Sequence, residues 1–173
     1  MLITSSIYYN RNILSLRSGG PIGYAYSPII NPDSLKIEGW YASLSGTKDQ
    51  MILPISEVRD IIGKGIVVDD HMSITHIEDL VRLKKVIDLR FEVIGKFVYT
   101  ERKKKLGKVA DYAVDNESMF IKKLYLNQSF FKGLMSQQLI IDRLQIVQIN
   151  NKGIIVKENT QRIRSTERAA ATA

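Results

Sequence analysis

An internal duplication constrains this chain more than any other feature. Ile22 to Tyr41 aligns without gaps on Leu106 to Tyr125: Gly23 meets Gly107, Ser34 meets Ser118, Ile37 meets Ile121 and Tyr41 meets Tyr125, each pair 84 residues apart. A second block, Val58 to Val68, recurs as Ile146 to Val156 with a spacing of 88, which matches Lys64-Gly65-Ile66 to Lys152-Gly153-Ile154. The later copy therefore holds four more residues between its blocks. A period this long exceeds that of a solenoid unit and implies two small duplicated domains rather than a repeat array.

Each copy reads as strands. Leu106, Lys108, Ala110 and Tyr112 alternate with Gly107, Val109, Asp111 and Ala113, which puts successive side chains on opposite faces of a sheet. Asp115-Asn116-Glu117-Ser118 supplies turn residues, and Met119 to Leu126 returns as a second strand. In the first copy, Ile13 to Ser18 and Tyr24 to Ile30 are strands around the turn Gly19-Gly20-Pro21, and Asn31-Pro32-Asp33-Ser34 turns the chain again. From Leu35 to Ala42 the alternation sets Leu35, Ile37, Gly39 and Tyr41 on one face and Lys36, Glu38, Trp40 and Ala42 on the other. Trp40, on the charged face, either covers part of the barrel rim or the neighbouring barrel, or anchors a partner. Met51 to Ile55 is a short strand in which Pro54 favours a sheet edge. In Met119 to Leu126, Phe120, Leu124 and Leu126 oppose Met119, Ile121 and Tyr125, so both faces are apolar. The sibling domain, a second copy of the chain or a partner protein must cover one of them.

These motifs carry a family resemblance. Ile22-Gly23 and Leu106-Gly107-Lys108-Val109-Ala110-Asp111, with Leu53-Pro54-Ile55-Ser56-Glu57-Val58 and Ile141-Asp142-Arg143-Leu144-Gln145-Ile146, are each closed by a glycine and a β-branched run. They resemble PRC-barrel domains over Ile13 to Val68 and Val93 to Lys157. The resemblance implies small, mostly antiparallel β-barrels, as in the cytoplasmic subunit of photosynthetic reaction centres and in ribosome maturation factors of the RimM type, where the barrel is a docking surface and not a catalyst. The expected fold is thus mainly β: two small PRC-like antiparallel β-barrels joined by an α-helix. Residues 1–70 form the first barrel with an N-terminal arm, 71–90 the connector helix, 91–158 the second barrel and 159–173 a basic disordered tail.

The connector reads as a helix from about His76 to Val86. Thr75 and Glu78 have capping-box spacing, and Ile77, Leu80, Val81, Leu83 and Ile87 form an apolar stripe with Arg82, Lys84 and Lys85 turned outward. The chain has no cysteine, which excludes disulfides, thiolate metal sites and a cysteine nucleophile. Its N-terminus, MLITSSIYYNRN, does not read as a signal peptide, and no apolar run nears the ~18 residues of a membrane helix. The expectation is a cytoplasmic protein without membrane insertion.

Charge is divided unevenly. Residues 1 to 89 hold 9 Lys and Arg against 10 Asp and Glu, net −1, and residues 90 to 173 hold 16 against 8, net +8. The second half is the one suited to a polyanion. Within it, Arg102, Lys103, Lys104 and Lys105, followed by Lys108, form the strongest cluster: either a phosphate grip or a solvated hairpin tip whose lysines discourage edge pairing. No aromatic residue interleaves with it directly, which argues against single-strand binding. Phe130 and Phe131, in the extra stretch Gln128 to Gln138, plug their own domain or form a contact patch.

Catalytic constellations do not emerge. Asp111 and Asp115 match Ser27 and Asn31 of the first copy, which favours turn capping over paired acid/base carboxylates. Asp69, Asp70, His71, His76 and Asp79 follow no metal-ligand spacing, and no nucleophile triad, phosphate loop or dinucleotide fingerprint is present. The leading expectation is a non-enzymatic adaptor or scaffold without cofactors that binds a protein partner, or a second copy of itself as a homodimer. Its contact residues would be Trp40, Phe120, Leu124, Phe130, Phe131 and the basic cluster. The alternative is an RNA- or ribosome-associated assembly factor of the RimM-like type, binding rRNA or a ribosomal protein through the basic second barrel.

Overall fold

The computed structural model describes residues 1–63, 65–127, 139–150 and 152–158. In chain order the strands are β1 (Leu2–Thr4), β2 (Arg11–Ser15), β3 (Gly20–Asn31), β4 (Lys36–Leu44), β5 (Met51–Pro54), β6 (Val58–Ile62) and β7 (Gly65–Val68). After the helix α1 (Val81–Asp88) come β8 (Phe97–Thr100), β9 (Lys105–Asp115), β10 (Ile121–Asn127), β11 (Leu139–Asp142), β12 (Ile146–Asn150) and β13 (Gly153–Val156). The described chain is mainly β, in two sheets.

The duplication extends to topology. One sheet runs β5-β4-β3-β2-β7-β6 and the other β11-β10-β9-β8-β13-β12, the same order with each strand replaced by its copy. In each, one parallel pair interrupts an otherwise antiparallel ladder: β2 with β7, and β8 with β13. Even the single 3₁₀ turns Ile55–Glu57 and Arg143–Gln145 occupy matching places. As Pro54 suggested, β5 lies at an edge.

Two compact units result, and their boundary does not follow the repeat boundary. The first comprises Met1–Val93 with Ala113–Ile121, the second Ile94–Tyr112 with the described residues from Lys122 onward. Strands β9 and β10 thus belong mostly to the second unit, while their far ends and the turn between them belong to the first. This accounts for the doubly apolar strand: Ile121 is buried as a member of the first unit, and Leu124 and Leu126 are buried as members of the second. Strand β4 changes its buried face in the same way, from Ile37 and Gly39 to Trp40 and Ala42.

Within the first unit the two equivalent turns meet. Leu35 and Met119, 84 residues apart, both adopt left-handed backbone (φ 53° and 60°) and both are buried. Ile37 N donates to Met119 O at 2.9 Å and Ile121 N to Leu35 O at 2.8 Å, a reciprocal pair around the bridge Lys36–Phe120. A left-handed φ at a residue with a Cβ costs on the order of 1 kcal/mol, which burial of both side chains offsets. The N-terminal segment is held here too: β1 pairs with β9 at Ala113, Val114 and Asp115, and Tyr8 is buried.

The connector differs from its expectation. Ile77–Asp79 is a 3₁₀ turn, and the α-helix starts only at Val81, with Leu80 at its cap and no capping side chain. Thr75 forms a two-way bridge with Ile52 and its hydroxyl bonds Asp79, so the extended backbone at Thr75 pre-empts the capping box with Glu78. Helix α1 lies on the first sheet: Ile87 packs with Ile29 and Ile52, flanked by Tyr41, Ile77, Leu80, Leu83 and Val86, whereas Val81 is exposed. Gln128 to Gln138, with Phe130 and Phe131, and the tail from Asn159 lie outside the described residues.

Candidate functional site

The basic hairpin belongs to the second unit. In β8, Val98 and Thr100 are buried and Phe97 and Tyr99 lie partly open, so the two rings share the outer face of the sheet. The chain then turns through Glu101 to Lys104. Thr100 N donates to Lys104 O, Lys103 N donates to Thr100 O, both at 2.9 Å, and Lys103 takes a left-handed φ of 65°. Arg102, Lys103 and Lys104 are carried out at the tip, all exposed. Strand β9 returns with Lys105 opposite Tyr99 and Lys108 opposite Phe97, and facing residues on an antiparallel pair share a side.

That pairing brings together what the sequence keeps apart. The Lys105 ammonium lies 3.6 Å from the centre of the Phe97 ring and that of Lys108 lies 4.7 Å from it. The Phe97 and Tyr99 rings are 6.3 Å apart, tilted by 49°. Aromatic side chains therefore do interleave with the basic cluster, contrary to the expectation. They stand on the neighbouring strand and not next to the lysines in sequence, and the alternation of Lys96-Phe97-Val98-Tyr99-Thr100 was the signal that could have found them. Ion pairs join the Met1 amino group to Asp115, Arg17 to Asp70 and Arg59 to Asp69, and Arg102, Lys103 and Lys104 enter none of these.

Beneath Tyr99 lies Gly153, whose φ is 153°. A Cβ there would come within 2.5 Å of Phe97 O and 3.1 Å of Tyr99 Cε2. Only glycine leaves the ring room to settle over the sheet.

The same face of the first sheet is built from other residues. The pairings Ile13–Gly23 and Val98–Gly107, with Ile13–Ile66 and Val98–Ile154, match Asn12 to Phe97, Leu14 to Tyr99, Tyr24 to Lys108 and Gly65 to Gly153. Here Asn12, Leu14, Ile62, Gly63 and Gly65 line a shallow, mostly apolar cleft of about 290 Å³. Leu14 occupies the place over Gly65 that Tyr99 holds over Gly153.

The remaining expected contact residues lie elsewhere. Trp40 is fully enclosed in the first unit, its indole N–H donating to Tyr8 O at 2.9 Å, so the anchoring role is corrected to a core one. The physical cause is the switch of buried face within β4, which turns Trp40 away from the side that carries Lys36 and Glu38. Leu124, at the matching position of the second copy, is likewise fully buried and is no contact residue. Phe120 is half-buried in the first unit, with the Lys36 ammonium 5.7 Å above its ring.

Several of the carboxylates make structural contacts. Asp115 accepts from Ser118 Oγ at 2.6 Å, and this bond, with the Met1 amino group, holds its carboxyl below the usual carboxylate range. Its counterpart Asn31 caps the first turn by accepting from Asp33 N at 3.0 Å. Asp69 is lowered chiefly by the hydrogen bond from Arg59, and Asp70 pairs with Arg17 at 2.9 Å. Among the described residues no group of three His, Cys, Asp or Glu side chains could hold a metal ion, and no helix is long and apolar enough to cross a membrane. No protein-family model and no curated protein matches the chain.

Proposed function

We propose that the chain is a non-enzymatic, cytoplasmic RNA-associated factor made of two PRC-like barrels, whose second barrel grips RNA phosphates through Arg102, Lys103, Lys104, Lys105 and Lys108. The observation that carries this reading is the convergence of five exposed cations on one hairpin, two of them seated over Phe97. The net charge of +8 on residues 90 to 173 supports it. The resemblance to ribosome maturation factors makes an assembling ribosomal subunit the substrate to try first. Binding through phosphates releases counterions and therefore weakens steeply with salt. The test is co-sedimentation of the purified chain with small ribosomal subunits at rising salt, with Lys103→Glu/Lys104→Glu/Lys105→Glu as comparison. Salt-sensitive association that the triple variant loses is expected; no association of the unaltered chain even at low salt overturns the reading.

A second reading, the protein adaptor, is favoured by the apolar cleft of the first sheet, where Ile62 is 48 % exposed. Such a cleft suits an apolar side chain of a partner protein. It predicts an interaction that Ile62→Asp abolishes and the triple lysine variant leaves intact.

A further inference from the structure

We infer that the outer face of the second sheet takes unpaired nucleotides, with Tyr99 as the ring on which a base stacks and Lys105 and Lys108 as the cations for the phosphates beside it. This rests on the RNA reading above and narrows it to single strands.

Four observations converge. Phe97 and Tyr99 occupy the outer side of β8 because Val98 and Thr100 fill the inner side. Gly153 leaves Tyr99 room beside the sheet: its missing Cβ would stand 3.1 Å from Cε2 and 3.3 Å from Cδ2, so this edge of the ring rests over bare backbone, and the side chain stays partly open. Phe97 holds the two ammoniums over its own ring, 3.6 and 4.7 Å from its centre, and so keeps them beside Tyr99. The lysines directly across from Phe97 and Tyr99 come from one strand, so a phosphate backbone that follows β9 would carry its bases over β8.

A flat ring flanked by lysines distinguishes strands by chemistry. Every base has a π-face, so stacking on Tyr99 needs no particular sequence. In a duplex those faces are already stacked on one another, so it can use the lysines but not the ring. The first sheet supplies the internal contrast, because Asn12, Leu14 and Tyr24 stand where Phe97, Tyr99 and Lys108 stand in the second. An aliphatic side chain in place of Tyr99 removes the ring at that position, and Tyr24 in place of Lys108 removes the cation.

The experiment uses the whole 173-residue chain and fluorescence anisotropy, each probe compared at the same salt along a series from low to high. Three probes are compared: an oligouridylate of about 12 nucleotides, within the span one small β-module covers; an abasic ribose-phosphate chain of equal length; and an RNA duplex with the same number of phosphates. The oligouridylate is expected to bind about tenfold more tightly than either other probe. Tyr99→Phe is expected to keep that preference. Tyr99→Leu is expected to lose it while retaining the salt dependence. Equal affinity of the unaltered chain for the oligouridylate and the abasic chain overturns the inference, and that comparison stands even if Tyr99→Leu fails to fold. Failure of all three probes to bind at low salt overturns the RNA reading itself; tight binding of all three with no preference defeats only the stacking platform.

Discussion

The same sheet face is built twice in this chain, once as an apolar cleft and once as a bed of rings and cations. Strand order, the parallel pair and the glycine beneath the second strand residue are common to both. What sets these two faces apart is the side chains projecting outward: Asn12, Leu14 and Tyr24 against Phe97, Tyr99 and Lys108. The comparison teaches that the inward residues hold the scaffold while the outward ones are free to diverge, because alternation decouples the two faces of a strand. Function in such a duplicated protein is to be sought where the copies disagree.

If the copies share one scaffold, matched inward residues must both be structural. Trp40 and Leu124 are such a pair, each fully buried. Trp40→Ala is expected to cost about 3–5 kcal/mol and Leu124→Ala about 2–5 kcal/mol, read as shifts in urea midpoint. A loss below about 1 kcal/mol at either would mean that the equivalence fails in the core.

The outward faces are predicted to differ in binding and not in stability. Replacing Lys103, Lys104 and Lys105 by Glu is expected to weaken RNA binding about a hundredfold, ~2.7 kcal/mol, and to flatten its salt dependence, with little change in the unfolding midpoint. Replacing the exposed cleft residue Ile62 by Asp is expected to leave RNA binding unchanged. An equal loss from both substitutions would erase the contrast between the faces.

The two glycines sharpen it further. Gly153→Ala would push a methyl group against the backbone oxygen of Phe97 in a strained φ, whereas Gly65→Ala meets the movable end of Leu14 at 2.5 Å. The first is expected to cost about 2–3 kcal/mol and the second less than about 1.5 kcal/mol, both measured by chemical denaturation. Reversal of that order would show that the two faces tolerate crowding otherwise than their geometry implies.

The smallest difference is one of acid response in the turns. Asp115 titrates below its ordinary value of 3.8 in the folded chain, so its contribution is present above that value and lost as pH falls through the lower folded one. Asn31, its counterpart, is neutral and has no such dependence. Asp115→Asn is therefore expected to lower stability near neutrality and to flatten the acid limb of the stability curve below 3.8, because the contribution it removes is present only above the folded value. Conversely, Asn31→Asp is expected to add acid sensitivity, and it offers an acceptor to the buried Ser34 Oγ, which has no hydrogen-bond partner. Circular dichroism across an acid titration checks both.

Much of the fold could be read before the structure. Gly23 and Gly107 stand where a Cβ would meet the opposing carbonyl of Ser43 or Asn127, so these positions stay glycine in both copies and mark the register. The site was half legible. The cations of the hairpin were visible as a run, but Phe97 and Tyr99 were not, because they come from the strand across the turn. Trp40 was set on an outward face because strict alternation was carried through β4. The face switch that buries it accompanies shifts of register in the ladder between β3 and β4 that no periodicity contains.

Local chemistry, then, sufficed for the strands, their duplication and the uneven charge, since each depends on residues near one another in sequence. Which face of a strand is buried, where the connector helix begins and which rings lie under which lysines depended on contacts between distant segments. Those contacts exist only once the ladders have formed, and the tertiary structure alone decided them.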